Sequence, residues 1–162
     1  MYATVRKVAD NEVWARASKA VTAAAVILDD QQRVLLVKHS YGQLNWELPG
    51  GAAEPDETPT QTALRELREE TGLVVSAERL TGIYYERHSA GGEVLHFVFR
   101  CRPPEEGAVP RPSSPEITAC GYWAVDALPR PMSTFTELRI RDALRPPGAL
   151  LPVAIGPRQW LG

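Results

Sequence analysis

The chain is poor in the residues that would make it a scaffold of cross-links. It has two cysteines, Cys101 and Cys120, in 162 residues. That is too few for a disulfide framework, and their spacing is not that of metal ligands. Both are expected to be reduced thiols. Long apolar runs are also missing: the longest, Ala23 to Leu28, is far too short to cross a bilayer. The start, Met1 to Lys7, has no apolar stretch after its basic residues. No leader is expected, no membrane partner either, and the expected location is the cytoplasm. Charge of one sign is absent too. Eighteen Lys and Arg stand against twenty Asp and Glu, a net charge of −2. This gives no general attraction to a nucleic-acid polymer.

What remains is ordinary for a globular domain: 44% apolar and 23% charged residues. A chain of this length buries about 70% of its unfolded surface, so it needs no structural metal to hold a core. The chain is read as an extension over residues 1–19 with no assigned elements, one domain over 20–145 and a proline-rich tail over 146–162.

Val21 to Leu28 and Arg33 to Lys38 are apolar runs joined by Asp29-Asp30-Gln31-Gln32, which predicts a hairpin. Their unbroken apolar character predicts strands covered on both faces. Asn45 to Leu48 is a short extended piece ended by Pro49-Gly50-Gly51. Thr58 to Thr71 is the strongest helix. Thr58 and Gln61 form a capping box, Pro59 suits the first turn, and Gly72 suits a left-handed C-terminal cap. Leu73 to Glu86 and Glu93 to Arg100 read as strands around a Ser89–Gly92 turn. Arg102 to Pro115 is a long loop with five prolines. Ile117 to Val125 reads as a strand. Thr134 to Leu144 reads as a second helix, with Thr134 and Glu137 as its capping box. Beyond Arg145 the chain is expected to be irregular. Strands flanking one strong helix, with another helix late, suit an α/β fold: a mixed sheet with helices on two faces.

The first helix carries the chemistry. At about 100° per residue, Glu66, Glu69 and Glu70 share one face, while Ala63, Leu64, Leu67 and Thr71 share another arc that would pack on the sheet. On its own the acidic face reads first as solvated, with Arg65 and Arg68 beside it. Its neighbours change that. Gly50 and Gly51 let backbone approach a ligand or ion, and Glu57 stands ahead of the helix where Arg65 can pair with it. Like charges one turn apart repel. A divalent cation removes that cost, and hard carboxylate oxygens suit magnesium.

Gly51, five residues, Glu57, seven residues, then Arg65-Glu66-Leu67-Arg68-Glu69-Glu70-Thr71-Gly72-Leu73 matches the signature of the Nudix, or MutT-like, hydrolase family at every specified position. Chance would produce such a match on the order of 10⁻⁸ times in this chain. The resemblance implies a Nudix-type α/β/α sandwich with a mixed sheet. It implies hydrolysis of a nucleoside diphosphate linked to another group by metal-activated water, with Mg2+ or Mn2+ as cofactor. Nucleoside triphosphates, ADP-ribose and nucleotide sugars all remain open as substrates, and a homodimer is plausible for the family. A non-catalytic nucleotide-binding regulator on the same fold is the alternative.

By the same resemblance, Glu66, Glu69 and Glu70 would bind the metal, joined by the Gly50 carbonyl, and Glu57 would pair with Arg65 or reach a metal through water. Arg65 would orient Glu66 or Glu69. Glu66 is the first candidate for proton acceptor. Glu116, before Ile117 to Trp123, matches a family pattern near the site and is the second. Trp46, Tyr84 and Tyr85 are candidates for stacking on a base, and Arg87 or Arg100 for contacting phosphate. His39, His88 and His96 read as structural histidines, and Trp123 as core.

Overall fold

The computed structural model of the chain describes residues 19–87 and 91–162. The extension before Lys19, His88 and half of the Ser89–Gly92 turn lie outside the described residues. Twelve elements follow in order: β1 (Ala20–Val26), β2 (Val34–His39), β3 (Trp46–Glu47), β4 (Gly50–Ala52), α1 (Pro59–Thr71), β5 (Ala77–Arg87), β6 (Glu93–Cys101), β7 (Ile117–Trp123), β8 (Met132–Ser133), α2 (Thr134–Ala143), β9 (Val153–Ile155) and β10 (Trp160–Leu161). No helix among the described residues is long and apolar enough to cross a membrane.

The strands form two mixed five-stranded sheets, in the orders β4-β1-β6-β5-β9 and β10-β8-β3-β2-β7. β1 is the hinge of this arrangement. Its alternate residues serve two cores, because successive side chains on a strand point to opposite faces. Ala23, Ala25 and Ile27 pack with Ala63, Leu67 and Leu73 beneath α1. Ala24, Val26 and Leu28 pack with Met132, Phe135 and Ile140 on the side of α2. β1 and the two residues that follow it are therefore covered on both faces, and the fold is the α/β/α sandwich expected.

The predicted hairpin over 21–38 is corrected. β1 pairs with β4 on one edge and with β6 in parallel on the other, so neither edge is left for β2. β2 instead pairs with β3 and β7 in the second sheet. Only the Leu28–Val34 bridge joins the two runs directly. The Asp29 carboxylate closes the turn between them, accepting from the backbone N–H of Gln31 and Arg33 at 3.0 and 2.8 Å.

α1 has the predicted ends. The Thr58 N–H donates to Gln61 Oε1 at 2.8 Å, the Gln61 N–H donates to Thr58 Oγ1, and Gly72 turns left-handed at φ 73°. The second helix starts one residue earlier in its capping than expected. Ser133, not Thr134, is the N-cap, accepting from Thr136 N at 3.1 Å, and Glu137 pairs with Arg130. The tail is not irregular throughout. β9 extends the first sheet beside β5, and β10 extends the second beside β8. The pairings are short, two or three residues each, which is too little for a periodic sequence signal.

Candidate active site

The site is built where β3, β4 and α1 converge. β4 lies against β1, with Ala24 opposite Gly50 and Ala23 opposite Gly51. A side chain at Gly50 would overlap the Ala23 carbonyl and lie 2.7 Å from Ala24 Cα, both backbone, so glycine is required. A Cβ at Gly51 would stand 2.6 Å from the Glu66 carboxyl carbon. Glu66 therefore lies directly over Gly51.

Arg65 organises the outer half of the site. Its Nε and Nη2 donate to the two oxygens of Glu57 at 2.6 and 3.0 Å, a bidentate pair. Nη1 donates to Glu66 Oε1 and to Glu69 Oε2, each at 3.0 Å, and Nη2 also reaches the Ala52 carbonyl at 3.0 Å. The guanidinium holds the Glu57 carboxyl at about 2, well below the ordinary carboxylate value. One arginine thus fixes three carboxylates and the end of β4.

Glu70 lies deeper and has no such partner. It is 6% exposed, and its Oε2 accepts the Gly50 N–H at 3.0 Å. Burial pushes its carboxyl up to about 8. The charges of Glu66, Glu47 and Glu116 add to this against the Gly50 N–H. Burial also raises Glu66, against Arg65. Among the described residues no three acidic, histidine or cysteine side chains close around one point in metal-ligand geometry. The donor set nevertheless fits a hard divalent ion. A buried carboxylate beside another, on a cradle free of side chains, is disfavoured without a cation and is the ligand type that magnesium takes.

The proline-rich loop closes the site's other side. Its Arg111 and Ser113 N–H groups donate to the Thr71 and Glu70 carbonyls at 2.9 and 3.0 Å, satisfying the C-terminal end of α1. This docking delivers Glu116 to the start of β7, exposed, where its charge acts on both Glu66 and Glu70. The Glu116 carbonyl accepts from Ser40 N at 2.7 Å, which ties in the loop after β2.

Glu57, Arg65, Glu66, Glu69, Glu70, Gly50 and Glu116 are thus gathered in one place. Tyr84 is not, and its expected contact with substrate is corrected. It is 1% exposed, its ring meets Phe135 edge-on at 5.3 Å, and its hydroxyl donates to Asp142 Oδ2 at 2.7 Å. Strand alternation turns Tyr84 into the core and Tyr85 away from it, toward Glu93. Trp46 is half-buried, edge-on to Trp123 with Lys38 over its ring. Arg87 is exposed at the end of β5 and acts on Glu93, not on the acidic face.

Two contributors escaped the sequence reading. Glu47 is buried, accepting from Thr136 Oγ1 at 2.8 Å, Arg139 Nη2 at 2.5 Å and its own neighbour Leu48 N at 2.8 Å. An acid inside a short apolar strand was its signal. Tyr41 is the other: it stacks on His39, the histidine read as structural, next to Ser40, which bonds the Glu116 carbonyl, and nothing in its local sequence marks it. His96 is structural as expected: it bridges Thr22 Oγ1 and Glu86 Oε2 at 2.7 and 2.9 Å.

A profile of the NUDIX domain matches residues 18–143 of the chain. Among curated proteins the chain is similar to a MutT-like protein of Streptomyces ambofaciens, 38% identical over 124 residues, 76% of each chain. It is also similar to the 8-oxo-dGDP phosphatase NUDT18 of Mus musculus, 30% identical over 121 residues. That match covers 72% of this chain and 36% of the other. Among solved structures, a MutT NUDIX hydrolase from Burkholderia pseudomallei superposes with a TM-score of 0.66 at 26% identity, covering 78% of this chain and 98% of that one.

Proposed function

The chain belongs to the NUDIX family, and we propose that it hydrolyses a diphosphate bond in a nucleoside diphosphate linked to a further group, using a divalent cation. The observation that carries this reading is the buried Glu70 beside Glu66 over the Gly50-Gly51 pair. Glu66, Glu69, Glu70 and the Gly50 carbonyl would hold the cation, of which Mg2+ fits these hard oxygen donors best. Such an ion neutralises phosphate oxygens and lowers the pKa of a bound water.

The protein's own groups supply position and proton transfer. Arg65 locks the rotamers of Glu66 and Glu69, so little reorganisation accompanies binding. Glu57 holds Arg65 in turn and lies outside the inner cage. Water attacks one phosphorus, the bridging P–O bond breaks, and the departing phosphate carries away the electron pair. The proton leaves the water for a carboxylate. Glu116 suits that role: it is exposed at the rim, and its charge reaches Glu66 and Glu70. Glu66 is the other acceptor in reach, but Arg65 already occupies its Oε1.

The test is product release from a panel of nucleoside triphosphates, ADP-ribose and nucleotide sugars, with Mg2+ and with EDTA. Metal-dependent nucleoside monophosphate release that Glu70→Gln abolishes is the expected result. Tight nucleotide binding without turnover on any member would overturn it in favour of a regulator.

A further inference from the structure

The loop between β2 and β3 places an aromatic ring at the rim of the acidic site. Tyr41 is 52% exposed, although aromatic side chains usually bury their area. One face of its ring lies on His39, with centroids 4.8 Å apart and planes 10° from parallel. With one face covered and half the residue exposed, the other face is open to solvent. The loop that carries it is held at both ends. His39 N donates to the Asn45 carbonyl and Leu44 N to the Tyr41 carbonyl, each at 3.0 Å. Ser40 N donates to the Glu116 carbonyl at 2.7 Å, and Ser40 Oγ to the Pro115 carbonyl at 3.1 Å. The ring is thus anchored to the segment that carries Glu116. The charges of Glu116, Glu70, Glu66 and Glu47 all act on the Tyr41 phenol, which places it at the edge of the carboxylate cluster.

A group lying on this ring must tolerate that negative field and must be flat. A phosphate satisfies neither condition. A nucleobase satisfies both, because it is planar, uncharged and able to stack by its π-face. The other aromatic candidates are committed elsewhere: Trp46 to Lys38 and Trp123, Tyr84 to the core, Tyr85 to Glu93. Resting on the diphosphate-hydrolase reading, we propose that Tyr41 determines specificity, its open face stacking the nucleobase of a substrate whose diphosphate lies at the α1 carboxylates. His39 is then a positioning residue that holds the ring flat from behind.

The test compares two non-hydrolysable ligands of the Mg2+-loaded protein by calorimetry. One is a purine nucleoside α,β-methylene diphosphate. The other is methylenediphosphonate, its counterpart without a base. The wild type should bind the nucleoside ligand about ten- to a hundredfold more tightly than the diphosphonate, the range that one stacked base supplies. Tyr41→Ala should erase that ratio while leaving diphosphonate binding unchanged, and Tyr41→Phe should restore it. Independently of any variant, cross-relaxation should appear between base protons and the Tyr41 ring protons.

Equal loss of both ligands in Tyr41→Ala, or an unchanged ratio, overturns the stacking role while leaving the diphosphate site standing. Failure of the wild type to bind methylenediphosphonate with Mg2+ overturns the diphosphate reading itself, and the stacking role with it.

Discussion

Glu70 makes the acidic site a measurable liability in the absence of metal. Its carboxyl stands at about 8 in the fold, against an ordinary 4.5. The folded state therefore retains a proton that the unfolded state gives up above pH 4.5. A raised pKa means stability that is complete below 4.5 and drains away as pH climbs to 8. At 1.36 kcal/mol per unit, the full loss is on the order of 5 kcal/mol, of which about 2 to 3 kcal/mol falls between pH 6 and pH 9. Glu70→Gln keeps the oxygen that accepts the Gly50 N–H and removes the charge. In EDTA, urea unfolding of wild type and variant should therefore diverge with pH. The variant should gain about 2 to 3 kcal/mol on the wild type between pH 6 and 9, equivalent to roughly 5–10 °C in thermal midpoint for a domain of this size. Added Mg2+ should narrow the gap by stabilising only the wild type. Other groups titrate in both proteins and cancel in the difference. Parallel stability curves for the two proteins across this range would refute the claim that burial without a cation strains Glu70.

Glu116→Gln should lower kcat at least about tenfold if this residue takes the proton; a wild-type kcat removes it from the mechanism. Gly51→Ala should leave the thermal midpoint nearly unchanged, because only the flexible end of Glu66 must move, yet cut metal-dependent turnover sharply by displacing that carboxylate. Full activity in this variant would show that Glu66 is not needed where it lies. Leu67→Ala removes a fully buried contact under α1 and should cost about 2–5 kcal/mol in urea titration. His96 is held near 4, first by burial and then by Arg139 and Arg158, with Glu86 opposing. Its depressed pKa means that protons favour the unfolded chain, so stability should fall as pH drops from 6.5 toward 4, and less steeply in His96→Gln. Identical slopes for the two proteins over that interval would reject this account.

Legibility followed the range of the interactions. α1 was readable because Thr58, Gln61, Pro59 and Gly72 act within one turn of its ends, and its apolar and acidic arcs repeat at helical spacing. The box residues were readable for the same reason: their spacing along one helix and its lead-in loop is their spacing in space. The partition of strands between sheets was not. Whether β2 joins β1 depends on β6, nearly seventy residues later, claiming the free edge of β1. Tyr84 and Tyr85 were indistinguishable as candidates, because a one-residue change of strand phase exchanges core and surface. Tyr41 was invisible because its place at the rim depends on Ser40 meeting Glu116, a contact across 76 positions of chain.

The arrangement of cations explains how the fold tolerates so many carboxylates near one end of β4 and along one face of α1. Arg65 satisfies Glu57, Glu66 and Glu69 from outside, and Arg139 satisfies Glu47 from behind α2. Each pair costs desolvation, and a buried pair is seldom worth more than an apolar replacement of equal size. Packing alone would therefore have been served by leucine or methionine at Glu47 and Arg139. Glu70 is the decisive member of the set. It is buried to the same degree as Glu47, yet only a backbone N–H opposes its charge. A fold selected for stability alone would place glutamine there, with the same hydrogen bond and no ionisation penalty. Glutamate at that position carries an ionisation cost that burial does not offset and that a bound divalent cation would, which makes Glu70 the residue whose identity argues most directly for the proposed reaction.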